Sequence, residues 1–420
     1  MMKFSIITPT HKPKYISDLY DSVAEQTYEN WELIISLNGE ASVDMIDDRI
    51  KNDPRVVVYR DDQNVDTIGA IKHDAFFRGT GDILVELDHD DMLTPDCLEK
   101  LKDVFENHPN VGFVYSDDVK LTENFTPYRA DRGWSWRNVE WKGHDYIAMH
   151  AFEPCSQSLS AIYWAPNHVR AWRKNVYLSI GGHDKSLKIL DDHDLMCRTY
   201  IQTDFFHIPE VLYVYRIDGE NSWLKYANTD IPKLTIDIFE KYGKTMAERD
   251  CEKKDLLKVQ LVFNSWIKKD GYVTLGIGEG VDIEWDFVKN KKIPLEDNSV
   301  GIVDASHVFQ KHPDSIFLMK EIYRVCDDFA WVFTEVPSTT GYGAFSDPTH
   351  KTFWNKDSFS YYTDPDVGKY AGTDKIRFQK FFEKEVTKNF SGRMIACCEV
   401  WMSAVKTSKN RCGENKYVLS

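Results

Sequence analysis

The pattern of apolar and polar residues in the first half of the chain predicts alternating strands and helices. Short apolar segments bounded by Pro, Gly or Asn are typical of buried strands, whereas apolar residues spaced three or four apart are typical of helices. The predicted strands are 3–8, 31–37, 55–59, 83–88 and 112–115. The predicted helices are 15–26, 67–78, 95–107 and 190–200. Strands that alternate with helices predict an α/β fold with a parallel sheet.

The second half of the chain is separated from this pattern by a charged stretch. Residues 231–241 have helical spacing, and 244–254 is either a linker or an exposed helix. A chain of 420 residues is longer than a single core usually supports. We therefore predict two domains, 1–250 and 255–420.

Composition excludes several classes of function. A net charge of −15 disfavours a nucleic-acid groove, which needs clustered Lys and Arg. The eight cysteines form no Cys-x-x-Cys pair, so we expect neither zinc ligation nor disulfides, and a reducing cytoplasmic location. No apolar stretch reaches membrane-spanning length, and the segment 4–7 is too short for a signal sequence. At most, peripheral membrane contact is expected.

An acidic cluster follows the fourth predicted strand. The apolar segment Ile83-Leu-Val-Glu-Leu87 leads directly into Asp88-His-Asp-Asp91. Three carboxylates this close repel one another, and Mg²⁺ or Mn²⁺ would neutralise them. Mg²⁺ usually shares one or two protein carboxylates with phosphate oxygens, and ligands of α/β sheets bind beyond the carboxyl ends of strands. The cluster therefore predicts either a divalent cation that carries a diphosphate or an acidic turn, which is common in a chain with 67 acidic residues.

A second acidic cluster lies at 190–195, in the sequence Leu190-Asp-Asp-His-Asp-Leu195, after a turn at Gly181-Gly-His-Asp184. In one interpretation Asp191 and Asp192 are helix-capping acids that interact with the helix dipole. In the other, one of them is a general base. A metal-diphosphate site and a general base together make a transfer site if the fold brings them together.

In their order along the chain, six segments of the first half resemble the inverting glycosyltransferases of family 2. They are 4–10 (FSIITPT), 22–28 (SVAEQTY), 31–36 (WELIIS), 79–91 (GTGDILVELDHDD), 181–184 (GGHD) and 191–195 (DDHDL). The resemblance covers residues 1–225 and implies the GT-A fold, a Rossmann-like nucleotide-diphospho-sugar transferase domain. It implies a nucleotide-sugar donor, with a UDP-sugar favoured, Mn²⁺ or Mg²⁺, and the hydroxyl of a glycan or glycoconjugate acceptor.

The resemblance also assigns roles to individual residues. The implied catalytic residues are Asp192, as general base, and Asp191 in the position before it. The implied nucleotide-sugar-binding residues are Thr8, Pro9, Thr10, Asn38, Lys72, Asp88 and His89. The implied metal ligands are Asp88, Asp90 and Asp218. There is an alternative interpretation for two of these residues: Lys72 is a solvated helix lysine, and Asp218 is an ordinary turn acid.

The chain departs from the family pattern at two positions. The family usually has Asp-Asp-Gly after the second strand, whereas this chain has Leu37-Asn-Gly39; the Asn38 amide can hydrogen-bond a uracil edge. Many members have a His after the Tyr-x-Tyr-Arg strand, whereas here Asp218 follows Ile217, and a carboxylate oxygen also suits Mg²⁺ or Mn²⁺.

Acceptor binding is expected between the two acidic clusters, where aromatic residues concentrate. Aromatic faces stack on sugar rings, although tryptophans are also common in cores. The residues concerned are Trp134, Trp136, Trp141, Tyr163, Trp164, His168, Arg170 and Trp172. Of these, Trp164, His168, Arg170 and Trp172 are the predicted acceptor-binding residues.

The second half resembles class I methyltransferases that bind S-adenosylmethionine, which implies a smaller Rossmann-like α/β domain. The matching segments are 272–278, 293–307, 319–325, 330–336 and 347–354. Only three residues separate Gly278 from Asp282, too few for the helix that should follow a cofactor-binding glycine loop. We therefore expect a degenerate domain that does not bind S-adenosylmethionine. His307 and His350 are either catalytic remnants or core histidines.

Three hypotheses follow. The first is a metal-dependent glycosyltransferase, a hexosyl- or pentosyltransferase of glycan biosynthesis, with an inactive methyltransferase-like domain. The second is a bifunctional enzyme that also methylates, and it predicts S-adenosylmethionine binding. The third is a non-catalytic carbohydrate-binding scaffold, and it predicts no donor hydrolysis with Mn²⁺.

Overall fold

The structure is a computed structural model. It describes residues 1–60, 67–122, 136–141, 143–217, 226, 228–264, 267–287, 289, 292–390 and 392–406. The chain divides into two compact units, of which the first ends at Tyr242 and the second begins at Gly243. The charged stretch after 243 is helical, because one continuous helix runs from Asp230 to Lys253. In the part of the chain described, no helix is both long and apolar enough to cross a membrane.

The first unit is built on one mixed sheet. Its strands are β1 (Phe4–Thr10), β2 (Trp31–Leu37), β3 (Val56–Arg60), β4 (Ile83–Glu86), β5 (Met92–Leu93), β6 (Val111–Thr122), β7 (Trp136–Trp141), β8 (His144–Met149), β9 (Arg170–Arg173) and β10 (Asp204–Ile217). The strand order is β3-β2-β1-β4-β9-β6-β10-β5, and the β7–β8 hairpin joins through β8 to β6. The predicted α/β class is confirmed.

The prediction that this sheet is parallel is correct for β1 to β4, β6 and β10, which run in one direction, and wrong for β5, β8 and β9, which pair antiparallel with them. Strands β1 to β4 pair in parallel, as their alternation with helices requires. Strand β9 then inserts antiparallel between β4 and β6. Strand β9 was not predicted, because four residues that include two arginines do not have the apolar character of a buried strand.

The helices of the first unit cover the sheet with apolar stripes. They are α1 (Ile16–Ala24), α2 (Asp48–Lys51), α3 (Ile68–Phe77), α4 (Cys97–Asn107), α5 (Ser156–Ala161), α6 (Lys174–Ser179) and α7 (Asp191–Gln202). In α1 the buried residues Ile16, Leu19 and Val23 are spaced three and four apart, so they face one side of the helix. They join the core formed by β1, β2 and β4. The four predicted helices are confirmed, each within a few residues at its ends.

The second unit contains a seven-stranded sheet. Its strands are β11 (Leu257–Phe263), β12 (Val273–Ile277), β13 (Ile283–Glu284), β14 (Val300–Asp304), β15 (Cys326–Pro337), β16 (Phe378–Phe390) and β17 (Arg393–Ala404). The order is β13-β12-β11-β14-β15-β17-β16. The first five strands in this order are parallel, and β17 and β16 are antiparallel to their neighbours. The helix Ser315–Val325 contributes Leu318, Met319 and Ile322 to the core beneath the sheet.

The glycine segment of the second unit does not follow the strand that a cofactor-binding loop has to follow. Gly276 and Gly278 are at the end of β12, whereas the central strand β11, which was not predicted, precedes it. The expected absence of a helix between Gly278 and Asp282 is confirmed, because β13 begins at Ile283. Asp282 accepts hydrogen bonds from the backbone and hydroxyl of Thr274, each at 2.8 Å. Its carboxylate therefore fixes the turn between β12 and β13.

Candidate active site

The carboxyl ends of β1, β2 and β4 meet at one edge of the first sheet, and the residues after β4 lie there. Parallel register pairs Ile7 with Glu86, so β4 ends level with the middle of β1. The buried hydroxyl of Thr8 donates a 2.9 Å hydrogen bond to the carbonyl of Leu87. This bond fixes the chain as it leaves β4 and directs Asp88 to Asp91 beyond the edge.

A buried ion pair lies directly beneath this edge. Glu86 and Lys72 are almost completely buried, and the Lys72 ammonium donates to the Glu86 carboxylate at 2.5 Å. Burial alone would lower the pKa of Lys72, but the carboxylates of Glu86 and Asp88 outweigh it and raise that pKa well above its usual value. Conversely, Lys72 and Arg170 overcome burial and hold the pKa of Glu86 well below its usual value. Lys72 is thus a buried cation, and its reading as a solvated helix lysine is wrong.

Asp88 sits above this pair with its side chain about one third exposed. Its carboxylate lies 3.7 Å from the Lys72 ammonium and 4.0 Å from Nε2 of His168. Its backbone N–H donates to the hydroxyl of Tyr213 at 3.2 Å. Asp88 therefore combines a fixed backbone with a carboxylate that faces the cleft.

Asp91 is anchored by β10. It is buried, and it accepts hydrogen bonds from the Tyr213 hydroxyl and the Arg216 backbone N–H, both at 2.7 Å. Burial, together with the charges of Asp90 and Asp88, raises the pKa of Asp91 well above its usual value. The Arg216 guanidinium also donates to the carbonyl of Asp90 at 2.8 Å. Asp91 and Arg216 thus hold the loop in which Asp88 and Asp90 lie.

Asp192 is connected to the same charge network through Arg170. The Arg170 guanidinium lies 3.1 Å from the Asp192 carboxylate and 3.5 Å from that of Glu86. It also donates to the carbonyls of Pro166 and Trp164 at 3.1 and 2.9 Å. Arg170 is buried, and its guanidinium is occupied by these two carboxylates and two carbonyls. It therefore holds Asp192 in position and does not make the predicted contact with an acceptor.

The start of α7 bears on both interpretations of the second acidic cluster. The N-cap residue is Leu190, with φ of 60°, and its own side chain makes no capping hydrogen bond. Asp192 accepts from the His193 N–H with one oxygen and from Arg170 with the other, and its side chain is one quarter exposed. It therefore gains from the helix N-terminus and remains accessible as a base.

Asp191 is buried beside Asp192. Burial raises the pKa of Asp191, the nearby charges of Asp192 and Glu86 raise it further, and Lys72 opposes them, so that the value is about 7. This carboxyl group changes charge near neutral pH, next to the residue predicted as the base.

The residues predicted to bind the nucleotide base differ in how far their side chains are exposed. Strand β1 extends to Thr10, so Thr8 and Thr10 lie inside the sheet with their side chains buried, whereas Pro9 is partly exposed. The Thr8 hydroxyl is engaged by Leu87 and is not directed at a ligand, which corrects the prediction for this residue. Asn38, partly exposed at the end of β2, donates its backbone N–H to the carbonyl of Thr10 at 2.9 Å.

A pair of histidines joins the loops that follow β1 and β4. The rings of His11 and His89 make an edge-to-face contact with centroids 5.2 Å apart. His89 therefore lies at the edge where the predicted donor residues meet, between the predicted metal ligands Asp88 and Asp90.

The predicted acceptor residues fall into exposed and buried sets. The Trp164 ring is partly exposed and packs edge-to-face on Phe152, with centroids 5.7 Å apart. His168 stacks on Tyr213 at 4.7 Å, and burial, followed by the Arg170 charge, lowers the pKa of His168 to about 4. Its imidazole is therefore neutral.

The prediction for Trp172 is wrong. Its ring is fully buried, and its indole N–H donates to Thr199 at 3.1 Å, so it offers no surface to an acceptor. Trp134 lies outside the described residues, as does the side chain of Trp141.

The residues that support the site from beneath were not predicted. Glu86, Tyr213 and Arg216 contact the predicted site residues directly, but none was singled out. Glu86 carried a signal, since a carboxylate within the apolar segment 83–87 needs a buried cation. The partner cation is 14 residues away, and only the fold identifies it as Lys72.

The acidic edge has the donor chemistry of a Mg²⁺ or Mn²⁺ site. Asp88 and Asp90 offer hard oxygen ligands two residues apart at the carboxyl end of β4. Across the described ranges, no three His, Cys, Asp or Glu side chains are grouped closely enough to hold a metal by themselves. Two carboxylates that share an ion with a diphosphate do not require a third. Asp218 lies outside the described residues.

Replacing Arg170 with Lys is expected to lower kcat for the reaction at this site by about 10²-fold, with little change in donor binding. A lysine cannot bridge Asp192, Glu86 and two carbonyls at once, and a small displacement of the base is costly. Steady-state kinetics will measure the loss. Arg173→Lys is the matched control, since Arg173 on the same strand donates to the carbonyls of Val111 and Phe105. An equal loss of kcat in both variants would contradict a specific role for Arg170.

Comparisons with known proteins identify the family of this chain. The model of the family described as "Glycosyl transferase family 2" matches residues 5–159. A glucosyl-dolichyl phosphate glucuronosyltransferase of Haloferax volcanii is 32% identical over 292 residues, which cover 62% of this chain and 85% of that protein. The chain therefore belongs to glycosyltransferase family 2, with the family domain in its amino-terminal part.

Other relatives have lower sequence identity to this chain. A chondroitin synthase of Escherichia coli is 23% identical over 61% of this chain and 36% of its own length. An uncharacterized protein of Sinorhizobium fredii is 25% identical over 50% of this chain, which spans only 22% of that relative. Among solved structures, S. aureus TarS in complex with UDP is similar over 61% of this chain and 72% of its own, with 16% identity and a TM-score of 0.42.

Proposed function

We propose that the first unit is a metal-dependent inverting glycosyltransferase that moves a sugar from a nucleotide-diphosphate donor to a hydroxyl of a glycan acceptor. One observation carries the proposal. A single buried charge network, Lys72–Glu86–Arg170, connects Asp88 on the donor side with Asp192 on the other. The two acidic clusters, which lie about 100 residues apart in the sequence, are thus joined by one chain of ion pairs, which supports a common site.

Each group has a chemical task in an inverting transfer. The acceptor oxygen attacks the anomeric carbon as the nucleotide diphosphate leaves, so a base must take the acceptor proton and positive charge must stabilise the leaving group. Asp192, with Arg170 fixing its orientation, is the proton acceptor. A divalent cation held by Asp88 and Asp90 would neutralise the leaving diphosphate. Lys72, 3.7 Å from Asp88, adds a fixed positive charge.

The donor and acceptor classes rest on separate observations. Asn38 at the edge of the sheet offers an amide, which can hydrogen-bond both polar groups of a uracil edge, so UDP-sugars are the favoured donors. The partly exposed Trp164 offers an aromatic face to an acceptor sugar. The names of two relatives, a glucuronosyltransferase and a chondroitin synthase, support transfer to a sugar-bearing acceptor.

For the second unit we propose a methyltransferase-like fold without cofactor binding. Five parallel strands with an antiparallel pair at one edge support the fold. The segment after β11 is held by contacts within the second unit. The Gln260 side chain hydrogen-bonds to the backbones of Ile267 and Lys269 at 2.9 and 3.0 Å, and the Lys269 ammonium pairs with the buried Asp304 carboxylate. No helix follows β11 in the described residues before β12. These groups do not fit S-adenosylmethionine, and calorimetric titration of that cofactor is expected to show no binding.

The proposed transfer predicts strict metal dependence. Release of UDP from UDP-sugars should be abolished by a chelator and restored by Mn²⁺ or Mg²⁺, because an uncompensated diphosphate would be repelled by Asp88, Asp90 and Asp192. Proton NMR of the product should show inversion at the anomeric carbon. Asp82→Asn is a control at the opposite end of β4, where the carboxylate bonds only the Lys3 backbone, at 2.8 Å, among the described residues. Full activity in the presence of a chelator would contradict the proposal.

A further inference from the structure

Three buried side chains form a line behind the proposed base, and the mechanism above does not use them. They are Tyr177 on α6, His183 in the turn that follows, and Asp191 at the start of α7. All three are at most 4% exposed. The Tyr177 hydroxyl lies 2.7 Å from Nδ1 of His183, and Nε2 of His183 lies 3.6 Å from the Asp191 carboxylate.

The hydrogen-bonding pattern fixes the tautomer of His183. Its backbone N–H donates to the Tyr177 oxygen at 3.2 Å, so the hydroxyl hydrogen is directed to Nδ1. A neutral imidazole that accepts at Nδ1 carries its proton at Nε2. That N–H faces Asp191 across 3.6 Å, and neither Nε2 nor the facing Asp191 oxygen has a hydrogen-bond partner in the described part of the chain.

The local sequence is built to hold this arrangement. Gly182 has φ of +64°, and a Cβ there would lie 2.7 Å from the Tyr177 ring, so only glycine lets the turn close against that ring. Phe76 stacks on Tyr177 at 5.0 Å and packs against His183 at 4.9 Å. The imidazole is therefore clamped with one nitrogen on the tyrosine and the other directed at Asp191.

We propose that His183, oriented by Tyr177, is a positioning residue for the transfer reaction: its Nε2–H is directed at the Asp191 carboxylate and sets the pH range in which Asp191 is ionised. The inference rests on the proposed function, because Asp192 must be the base for the charge of Asp191 to affect turnover.

The charges around the pair determine the direction of the effect. Lys72 from α3, Glu86 from β4 and Asp192 on the same helix face Asp191. Glu86, Lys72, Arg198 and Arg170 face His183, and burial is the first cause that keeps its pKa well below the usual value. A neutral donor beside Asp191 stabilises its carboxylate, so removal of the donor raises the pKa of Asp191.

This change has a defined effect on activity. A negative charge on Asp191 attracts the acceptor proton towards the proposed base in the transfer step. Activity should therefore rise with pH as Asp191 ionises. Loss of the buried N–H that faces this carboxylate is expected to move this rise upward by about one pH unit. At pH 7 such a variant should be about five-fold less active, and at pH 9 it should match the wild type.

The test compares three variants with the wild type. His183→Phe keeps the ring volume but has no donor, His183→Gln keeps an N–H donor, and Tyr177→Phe removes the hydroxyl that fixes the tautomer. The pH dependence of kcat is measured from pH 6 to 9.5, and the Asp191 carboxyl is titrated by ¹³C NMR, with its signal assigned by Asp191→Asn. Melting temperatures confirm that each variant is folded.

The expected result is an upward shift in both titrations for His183→Phe, a smaller shift for Tyr177→Phe, and restoration by His183→Gln. A folded His183→Phe protein whose Asp191 titrates as in the wild type would overturn the inference. So would a His183→Gln protein that behaves like His183→Phe, since only packing would then matter. The Asp191 titration needs no substrate, so an inactive wild-type protein contradicts the proposed function and leaves this test readable.

Discussion

Replacing Asp192 with Asn is expected to lower kcat by about 10³-fold while donor binding is retained, because general-base catalysis contributes on this scale. The substitution keeps the shape of the side chain and its bond from the His193 N–H, which is 2.8 Å long. What it removes is the ability to accept the acceptor proton. Single-turnover kinetics with saturating donor will separate the chemical step from binding.

Asp194 provides a matched control for this substitution. It lies on the same helix, is buried, and accepts from Arg198 at 2.5 Å and from the Tyr242 hydroxyl at 2.8 Å. Asp194→Asn should therefore lower the melting temperature without changing the chemical step. A loss of kcat in Asp194→Asn as large as that in Asp192→Asn would show that the helix, and not a base, is responsible.

Lys72→Met is expected to destabilise the first unit by about 3–5 kcal/mol at pH 7, because it leaves the carboxylate of Glu86 buried without its closest partner. Methionine fills a similar volume but has no charge. Arg170 remains, but its guanidinium is 3.5 Å away and shared with Asp192. Urea denaturation monitored by fluorescence will measure the change in the free energy of unfolding.

Two further measurements identify the cause of that loss. The double variant Lys72→Met/Glu86→Leu removes both charges and should recover most of the lost stability. In the wild type the pKa of Glu86 is lowered, so its contribution is present above its unfolded pKa and is lost as pH falls through the folded pKa. The wild type and Lys72→Met should therefore become closer in stability below about pH 4.3. A deficit that is independent of pH would point to packing.

The position of the donor side of the site could be predicted because it depends on local rules. Strands that alternate with helices are parallel, and their carboxyl ends lie at one edge, so Asp88 and Asp90 had to emerge there. The strand 31–37 was predicted with the same bounds that the structure has, and Asn38 follows it at the same edge. A continuous apolar run is sufficient to locate these strands because they are buried on both faces.

The connection between the two acidic clusters could not be predicted, because it depends on tertiary contacts. Arg170 is on β9, whose antiparallel insertion beside β4 leaves no periodic signal in four residues. The same insertion buries Trp172, which sequence alone could not distinguish from an acceptor-binding tryptophan. Thr8 was assigned to the nucleotide by the family resemblance alone, whereas its hydroxyl bonds the carbonyl of Leu87, a tertiary contact that the sequence does not reveal.

The second unit shows the limit of motif reading. Gly276 and Gly278 suggested a cofactor loop, but the strand pairing shows that β12 is one position away from the central strand β11. Within residues 257–263 the segment 259–262 is buried, but Lys258 and Gln260 interrupt its apolar character and it directly follows a charged helix, so it was not recognised as a strand. A short glycine pattern is informative only when the strand that precedes it is known.

Calorimetric titration of UDP into the protein, with and without Mn²⁺, tests the central claim most directly when it is repeated on Asp90→Ala and on Asp91→Asn. We predict UDP binding that requires Mn²⁺ and is abolished in Asp90→Ala. Binding should persist in Asp91→Asn, because the buried Asp91 side chain bonds Tyr213 and Arg216 and is not one of the predicted metal ligands. Binding that is independent of Mn²⁺ and unchanged in Asp90→Ala would contradict a metal-diphosphate site at the end of β4.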